Sequence, residues 1–82
     1  MPNNETSIKQ VPIKTSVYAM QDTHWSYELV YLPDQAQYKA KLWWFDDWVG
    51  YGATWRIYKT SPSFATLEAA EAYALATWVE EL

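Results

Sequence analysis

Residues 24 to 45 read HWSYELVYLPDQAQYKAKLWWF, two alternating apolar segments separated by a short turn. Every second side chain of a strand lies on the same face, so each segment places one apolar row on one side of a sheet. If the connection is the stretch from Pro33 to Ala36, the two rows oppose each other. The predicted pairs are Tyr31 with Tyr38, Leu29 with Ala40, Tyr27 with Leu42 and Trp25 with Trp44. A shift by one residue would turn one row to the opposite face, so the pattern predicts a single register.

Alternating segments on both sides of this hairpin predict two further strands. The predicted strands run over Val11–Met20, His24–Leu32, Gln37–Phe45 and Ala53–Thr60. Consecutive strands joined by short turns favour antiparallel neighbours. We therefore predict an α+β fold, in which a four-stranded antiparallel meander sheet of order 1-2-3-4 packs one C-terminal helix on one face.

The C-terminal helix is predicted from Leu67 to Glu81. Thr66 is a favourable N-cap, and Glu68 and Glu71 suit the positive end of the helix dipole. One stripe at helical spacing contains Leu67, Ala70, Ala74 and Trp78, with Leu75 and Leu82 at its edge. Because alanine is small, this stripe is expected to pack closely against bulky aromatic residues of the sheet.

The two-residue period of a strand assigns the remaining residues to a core face or to an outward face. Besides the hairpin pairs above, the core face is predicted to contain Val11, Ile13, Val17, Ala19, Trp55 and Ile57. The outward face is predicted to contain Lys14, Tyr18, Glu28, Val30, Lys39, Lys41, Trp43, Arg56 and Tyr58. The outward face thus combines cations with aromatic rings, whereas the predicted helix carries acidic residues and no basic one.

Composition limits the classes of protein that fit this chain. Its 82 residues suit a single ββββα domain, predicted over residues 11–82 after a flexible tail over residues 1–10. Aromatic residues make up 18% of the chain and supply the large side chains that a small core needs. Because cysteine and long apolar runs are absent from the sequence, we expect a cytoplasmic protein that does not enter a membrane. The net charge of −4 argues against nonspecific binding of duplex nucleic acid.

Residue types that support catalysis or metal binding are scarce. His24 is the only histidine of the sequence, and without cysteine neither a tetrahedral zinc site nor a cysteine–histidine nucleophile is expected. We interpret His24 as a solvated turn residue. Asp46 and Asp47 supply too few oxygens for calcium, and Gly50-Tyr51-Gly52 is not followed by the helix that a phosphate-binding loop needs. We therefore expect no enzymatic activity, no cofactor and no metal.

Candidate binding residues lie on the outward face and in the loop predicted from Asp46 to Gly52. They are Lys41, Trp43, Arg56 and Tyr58 on the face, and Trp48 and Tyr51 in the loop. Trp, Tyr and Arg are the residue types most often found as hot spots of protein interfaces. The sequence therefore favours a noncatalytic protein-interaction module, such as a small regulator or inhibitor, with an unknown protein partner.

Three alternatives to this hypothesis stay open. Aromatic rings set between cations are typical of proteins that bind single-stranded nucleic acid, because bases stack on the rings. Loop aromatics also stack on sugar rings, which would indicate a ligand or carbohydrate binder. An uncovered sheet face or edge strand can pair with a second copy, which would give a homodimer.

Overall fold

Four strands and a helix follow one another along the chain in the computed structural model, which describes residues 5–18, 21–48 and 54–80. Within these ranges, the side chains of residues 16–18, 21–22, 46–48 and 54 are not among those described. The elements are β1 (Thr6–Tyr18), β2 (Gln21–Leu32), β3 (Gln37–Trp48), β4 (Thr54–Thr60) and α1 (Leu67–Ala74), which continues as a π-helical turn over Leu75–Val79. The strands form one antiparallel sheet of order β1-β2-β3-β4, which confirms the predicted α+β fold.

The β2–β3 hairpin has the predicted register. Tyr31 opposes Tyr38, and the pairing continues from there along both strands without a shift. Residues 33–36 form the turn, and Ala36 adopts the left-handed region with φ of 50°. β3 extends beyond its predicted end, so the stretch from Asp46 to Trp48 belongs to a strand and not to a loop.

β1 begins earlier than predicted and pairs irregularly with β2. Its first residue is Thr6, inside the stretch that the sequence assigned to a tail. The register shifts at Ile8 and again at Ile13, as expected for β-bulges. Beyond the second shift Lys14 opposes Trp25, a residue of the core side. The predicted outward position of Lys14 is therefore wrong.

A β-bulge also interrupts the pairing between β3 and β4. Leu42 opposes Lys59, but the next residue of β3, Trp43, opposes Ile57. Tyr58 is thus the extra residue between two successive pairs. A bulge of this kind reverses the alternation of side chains in the rest of the strand.

The bulge exchanges the predicted faces of the β4 side chains. We call the side of the sheet that α1 covers the helix face and the opposite side the outer face. Opposed residues share a face, so Trp55 and Ile57 lie on the outer face, whereas Arg56 lies on the helix face opposite Trp44. The ring of Tyr58 also lies on the helix face, where it meets Trp25 edge-on at 5.4 Å. The predictions that Trp55 and Ile57 belong to the core and that Arg56 and Tyr58 point outward are therefore wrong.

The helix α1 begins where the sequence predicts. Thr66 caps it, because its hydroxyl oxygen accepts a 3.1 Å hydrogen bond from the amide of Ala69. Ala70, Ala74 and Trp78 are buried, which confirms the apolar stripe. No helix among the described residues is both long enough and apolar enough to cross a membrane.

The last turn of the helix is wider than an α-helical turn. The amide of Glu80 donates to the carbonyl of Leu75 over 3.1 Å, a hydrogen bond that spans five residues. In a π-helical turn, each backbone hydrogen bond joins residues that are five apart along the chain. Tyr73 and Trp78 have this spacing, and their rings meet edge-on at 5.6 Å. Both residues belong to the core region, Trp78 as a buried member and Tyr73 as a partly buried neighbour.

The core lies between α1 and the helix face of β2 and β3. Its buried members are Tyr27, Leu29, Ala40, Leu42, Ala70, Ala74 and Trp78. Partly buried residues packed against them are Val11, Ile13, Trp25, Tyr38, Phe64, Leu67, Tyr73 and Val79. These positions confirm the predicted core face of the hairpin. The side chain of Val17 and the whole of Ala19 fall outside the described residues.

A polar contact at the edge of the core links three elements. The Tyr27 hydroxyl of β2 donates a 3.0 Å hydrogen bond to the Glu71 carboxylate of α1, which also forms a 2.7 Å ion pair with Lys9 of β1. Burial raises the pKa of Tyr27, and the neighbouring carboxylate raises it further. The hydrogen bonds from Lys9 and from Tyr27 hold the pKa of Glu71 below its usual value.

Candidate interaction surface

Four apolar side chains of β3 and β4 form the outer-face cluster, defined as Trp43, Phe45, Trp55 and Ile57. Trp43 opposes Ile57 and Phe45 opposes Trp55, and the last two rings lie 5.0 Å apart. Despite these contacts Trp55 remains 45% exposed and Ile57 48% exposed. Exposed apolar side chains that adjoin one another are more informative than scattered ones, because they make a continuous patch.

Polar neighbours fix the rings of β3 in place. The indole nitrogen of Trp43 donates a 2.9 Å hydrogen bond to the carboxylate of Glu28 on β2. His24 lies against Phe45, with the ring centroids 5.7 Å apart, and its Nδ1 is 2.9 Å from the hydroxyl of Thr15. Anchored rings lose little conformational freedom on binding, which favours their use as contact points.

A groove runs from the outer-face cluster towards β1. Its larger cavity, about 480 Å³, is lined by residues that include Gln10, Thr15, His24 and Trp55, and a smaller one of about 220 Å³ adds Trp43. In a flat sheet β1 and β4 would be separated by three strand spacings, about 14 Å. Since side chains of both edge strands line the same cavity, the outer face is concave at this end of the sheet.

The floor of the groove is polar and fully paired. Ser26 is buried, and its hydroxyl accepts a 2.8 Å hydrogen bond from the side-chain amide of Gln10. No buried polar side-chain atom among the described residues lacks a hydrogen-bond partner. The groove therefore offers apolar walls, chiefly Trp55, over a floor whose polar groups already have partners.

The other end of the outer face is covered. Lys41 of β3 forms an ion pair with Glu5, which precedes β1. Because β2 lies between β1 and β3, this ion pair spans β2 on the outer face. Val30 of β2 also lies on the outer face, and it is almost fully buried. The concave end that carries Trp55 is consequently the more open part of this face.

A second group of rings lies on the helix face at the edge of the core, against which Trp25 packs. This helix-face cluster consists of Trp25, Trp44, Arg56 and Tyr58. Trp25 and Trp44 stack at 6.3 Å, and the Arg56 guanidinium lies 5.7 Å from the Trp44 ring centroid. The spacing suits a cation–π contact. Tyr58 is 55% exposed at the margin of the cluster.

The structure separates the binding residues that the sequence grouped together. Trp43 lies on the outer face as predicted, and so does Lys41, which is paired with Glu5. Arg56 and Tyr58 lie on the helix face instead. The side chain of Trp48 and all of Tyr51 lie outside the described part of the chain.

Sequence reasoning missed Trp55 and Ile57 as surface residues, and it missed the part that β1 takes in the groove. Both omissions come from register shifts. A strand alternates on both sides of a bulge, and the extra residue only exchanges which face each later or earlier residue occupies. The sequence therefore contained no signal for the exchange of faces in β4. The exposure of Trp55 could not have been found from the sequence alone.

Histidine is a frequent general base and metal ligand, and His24 is the only histidine of the sequence. His24 belongs to β2 and is half-buried, so its interpretation as a solvated turn residue is wrong. Within the described ranges no three histidine, aspartate or glutamate side chains converge as a metal site would require.

Comparison of the chain with protein-family models, with curated proteins and with solved structures found no match in any of the three. A function must therefore be argued from the fold and from the surface just described.

Proposed function

We propose that this protein is a noncatalytic protein-interaction module, a small regulator or inhibitor, that binds a protein partner through the outer-face cluster and the adjoining groove. The observation that carries the proposal is the exposure of Trp55 and Ile57 beside Trp43, on a sheet face that α1 leaves uncovered. Each apolar side chain of this size gains about 1.5–3 kcal/mol when it is moved from water into an apolar contact. A partner that covers this patch recovers that free energy.

The shape and composition of the surface support a protein partner. Interfaces have an apolar centre and a polar rim, and their anchors are commonly aromatic. Here Trp43, Trp55 and Ile57 form the centre, while Gln10 and Glu28 stand beside them in the groove. The concave groove next to Trp55 suits one protruding side chain of the partner.

The first test is capture of the partner from native extract with tagged wild type and with Trp55→Ala. Leu75→Ala is the matched control, because Leu75 is 43% exposed but lies on the helix. We expect one protein to be retained in stoichiometric amount by wild type and by the control, and lost with Trp55→Ala, with and without nuclease. Equal retention by all three proteins would remove the outer face from the proposal. Thermal unfolding of each variant shows whether it is folded.

Single-stranded nucleic acid is a second candidate partner, and it is favoured by the helix-face cluster. The Lys59 ammonium lies 5.6 Å from the ring centroid of the exposed Tyr58, and Arg56 lies over Trp44. A base stacked on such a ring contributes about 1–3 kcal/mol. This candidate predicts that an oligothymidine binds, that Tyr58→Ala weakens it and that added salt weakens it steeply. Binding that is insensitive to salt would exclude it.

A further inference from the structure

We propose that the free edge of β4 binds an extended segment of the protein partner as a fifth strand, and that this segment alternates acidic with apolar residues. The inference rests on the proposed function and specifies the kind of partner. In strand addition, backbone hydrogen bonds hold the added segment, and alternate side chains on the two faces give specificity.

The two edges of the sheet differ in their capacity to accept a further strand. β1 forms one edge and is interrupted by two register shifts and by Pro12, which has no amide hydrogen to donate. Bulges and proline are features that protect an edge against pairing. β4 forms the other edge. It has a single bulge, at Tyr58, where β1 has two register shifts, it contains no proline, and it carries exposed side chains from Trp55 to Thr60. Among the described residues only β3 pairs with β4, so the opposite side of that strand is open.

The side chains of β4 determine which sequence an added strand would need. Its outer-face side chains include the apolar Trp55 and Ile57, and its helix-face side chains include Arg56 and Lys59. A strand added beside β4 places alternate side chains next to these two sets. Apolar residues would extend the outer-face cluster, and carboxylates on the other face would meet the two cations.

The two cations of β4 are available for such carboxylates. Arg56 and Lys59 contact the rings of Trp44 and Tyr58, and neither forms an ion pair with an acidic side chain of the described residues. By contrast, Lys9 and Lys41 are each paired with a glutamate. The chain as a whole is acidic, so this edge is a local exception that complements a negatively charged segment.

A second copy of this chain is a poorer occupant of the same edge. Pairing β4 with β4 of another molecule would gather two copies each of Arg56 and Lys59 on one strip. Like charges that face each other across strands destabilise the pair. An acidic segment of a different protein removes this repulsion.

The experiment is an NMR titration of the full chain with peptides of seven residues, the length of β4. One peptide alternates glutamate with valine, a second has lysine in place of glutamate, and a third has the glutamate and valine residues in blocks. The proteins are wild type, the double variant Arg56→Glu/Lys59→Glu, Trp55→Ala, and Lys39→Glu as a control cation on β3. Oligothymidine is titrated in parallel.

We expect the alternating acidic peptide to shift and protect β4 amides and to bind wild type and Lys39→Glu about tenfold or more tightly than the double variant. The double variant should prefer the lysine peptide instead. Equal affinity of wild type for the acidic, lysine and block peptides would overturn the inference, as would tighter binding of oligothymidine through the same cations. If peptide binding fails while capture of the partner still depends on Trp55, the strand-addition inference is wrong and the proposed function stands. If peptide binding is weakened by the charge reversal but not by Trp55→Ala, the β4 edge binds the peptide without the outer-face cluster, and the proposed function is wrong in naming that cluster.

Discussion

The side chain of Ser61 replaces a backbone hydrogen-bond acceptor where β4 ends. It follows β4, is almost fully buried, and its hydroxyl oxygen accepts a 2.8 Å hydrogen bond from the amide of Ala40 in the core. The same hydroxyl donates to the carbonyl of Pro62, and the Ser61 amide donates to the carbonyl of Ala40. Buried amides are rarely left without a partner, because an unpaired one is costly.

Replacing Ser61 tests this arrangement. Ser61→Ala leaves the Ala40 amide without its side-chain acceptor, so we expect the free energy of unfolding to fall by about 1–3 kcal/mol. Ser63→Ala, at an exposed position two residues on, is the control and should change stability little. Urea unfolding of both variants provides the comparison. Equal and small changes would show that water replaces the hydroxyl without cost.

The contact between Tyr27, Glu71 and Lys9 predicts how stability depends on pH. The pKa of Glu71 is lowered by folding, so its contribution is present above the pKa of the unfolded chain and is lost as pH falls through the folded pKa. Glu71→Gln should cost on the order of 1 kcal/mol at neutral pH, since it removes the charge from a hydrogen-bonded, partly screened pair. The difference from wild type should shrink towards zero in acid. Urea unfolding of both proteins between pH 7 and pH 3 measures this difference. A difference in the free energy of unfolding that stays constant over this range would contradict this account.

At the scale of elements, the β2–β3 hairpin and β4 show where sequence patterns suffice. Two apolar rows and a short turn fix the register from Tyr31 opposite Tyr38 to the far end, because any slip exposes a whole row. β4 pairs with β3 over fewer residues, and its core contribution is small. Nothing in the alternation around Tyr58 distinguishes a regular strand from a bulged one, so the faces of β4 were predicted wrongly.

A double-mutant cycle tests the bulge directly. If Arg56 lies over Trp44, replacing both with alanine should reveal a coupling of about 0.5–1 kcal/mol in the free energy of unfolding. The parallel cycle between Arg56 and Trp43, on the opposite face, should show none. If Arg56 couples to Trp43 and not to Trp44, β4 has no bulge and its side chains lie on the faces that the sequence predicted. Thermal or urea unfolding of the single and double variants supplies the data.

The close approach of α1 to the sheet gives a second prediction at this scale. Ala74 is fully buried against the core, whereas Ala72 is exposed on the same helix. Ala74→Leu should destabilise the protein by about 1–3 kcal/mol, because the added atoms have no space without movement of the helix. Ala72→Leu should be nearly neutral. If the two variants unfold at the same urea concentration, the helix does not pack as closely as described.

At the scale of the whole molecule, the two faces of the sheet differ in what packs against them. The helix face holds the core, and exposed acidic residues lie on the helix and just after it, among them Glu68 and Glu80. Within the described part of the chain no helix lies over the outer face, which carries the groove and the outer-face cluster at its concave end. This division supports a proposal in which one layer stabilises the fold and the other contacts a partner.

The candidate surface was only partly predictable from the sequence. Alternation along β3 placed Trp43 on the correct face, because the hairpin register is regular there. It failed for Trp55 and Arg56, because the faces of β4 depend on one extra residue. The groove depends on β1 and β4 together, and a cavity made by two distant strands has no pattern in either segment.

Photo-crosslinking from the outer face tests the central claim most directly. A photoreactive residue is placed at Ile57 or, as a control, at Leu75, which is similarly exposed on the helix. In native extract the account predicts one discrete crosslinked protein from position 57, competed by excess wild type but not by Trp55→Ala, and none from position 75. Equal labelling from both positions, or a product from Ile57 that Trp55→Ala competes as well as wild type does, would contradict the claim that this protein binds its partner through the outer face.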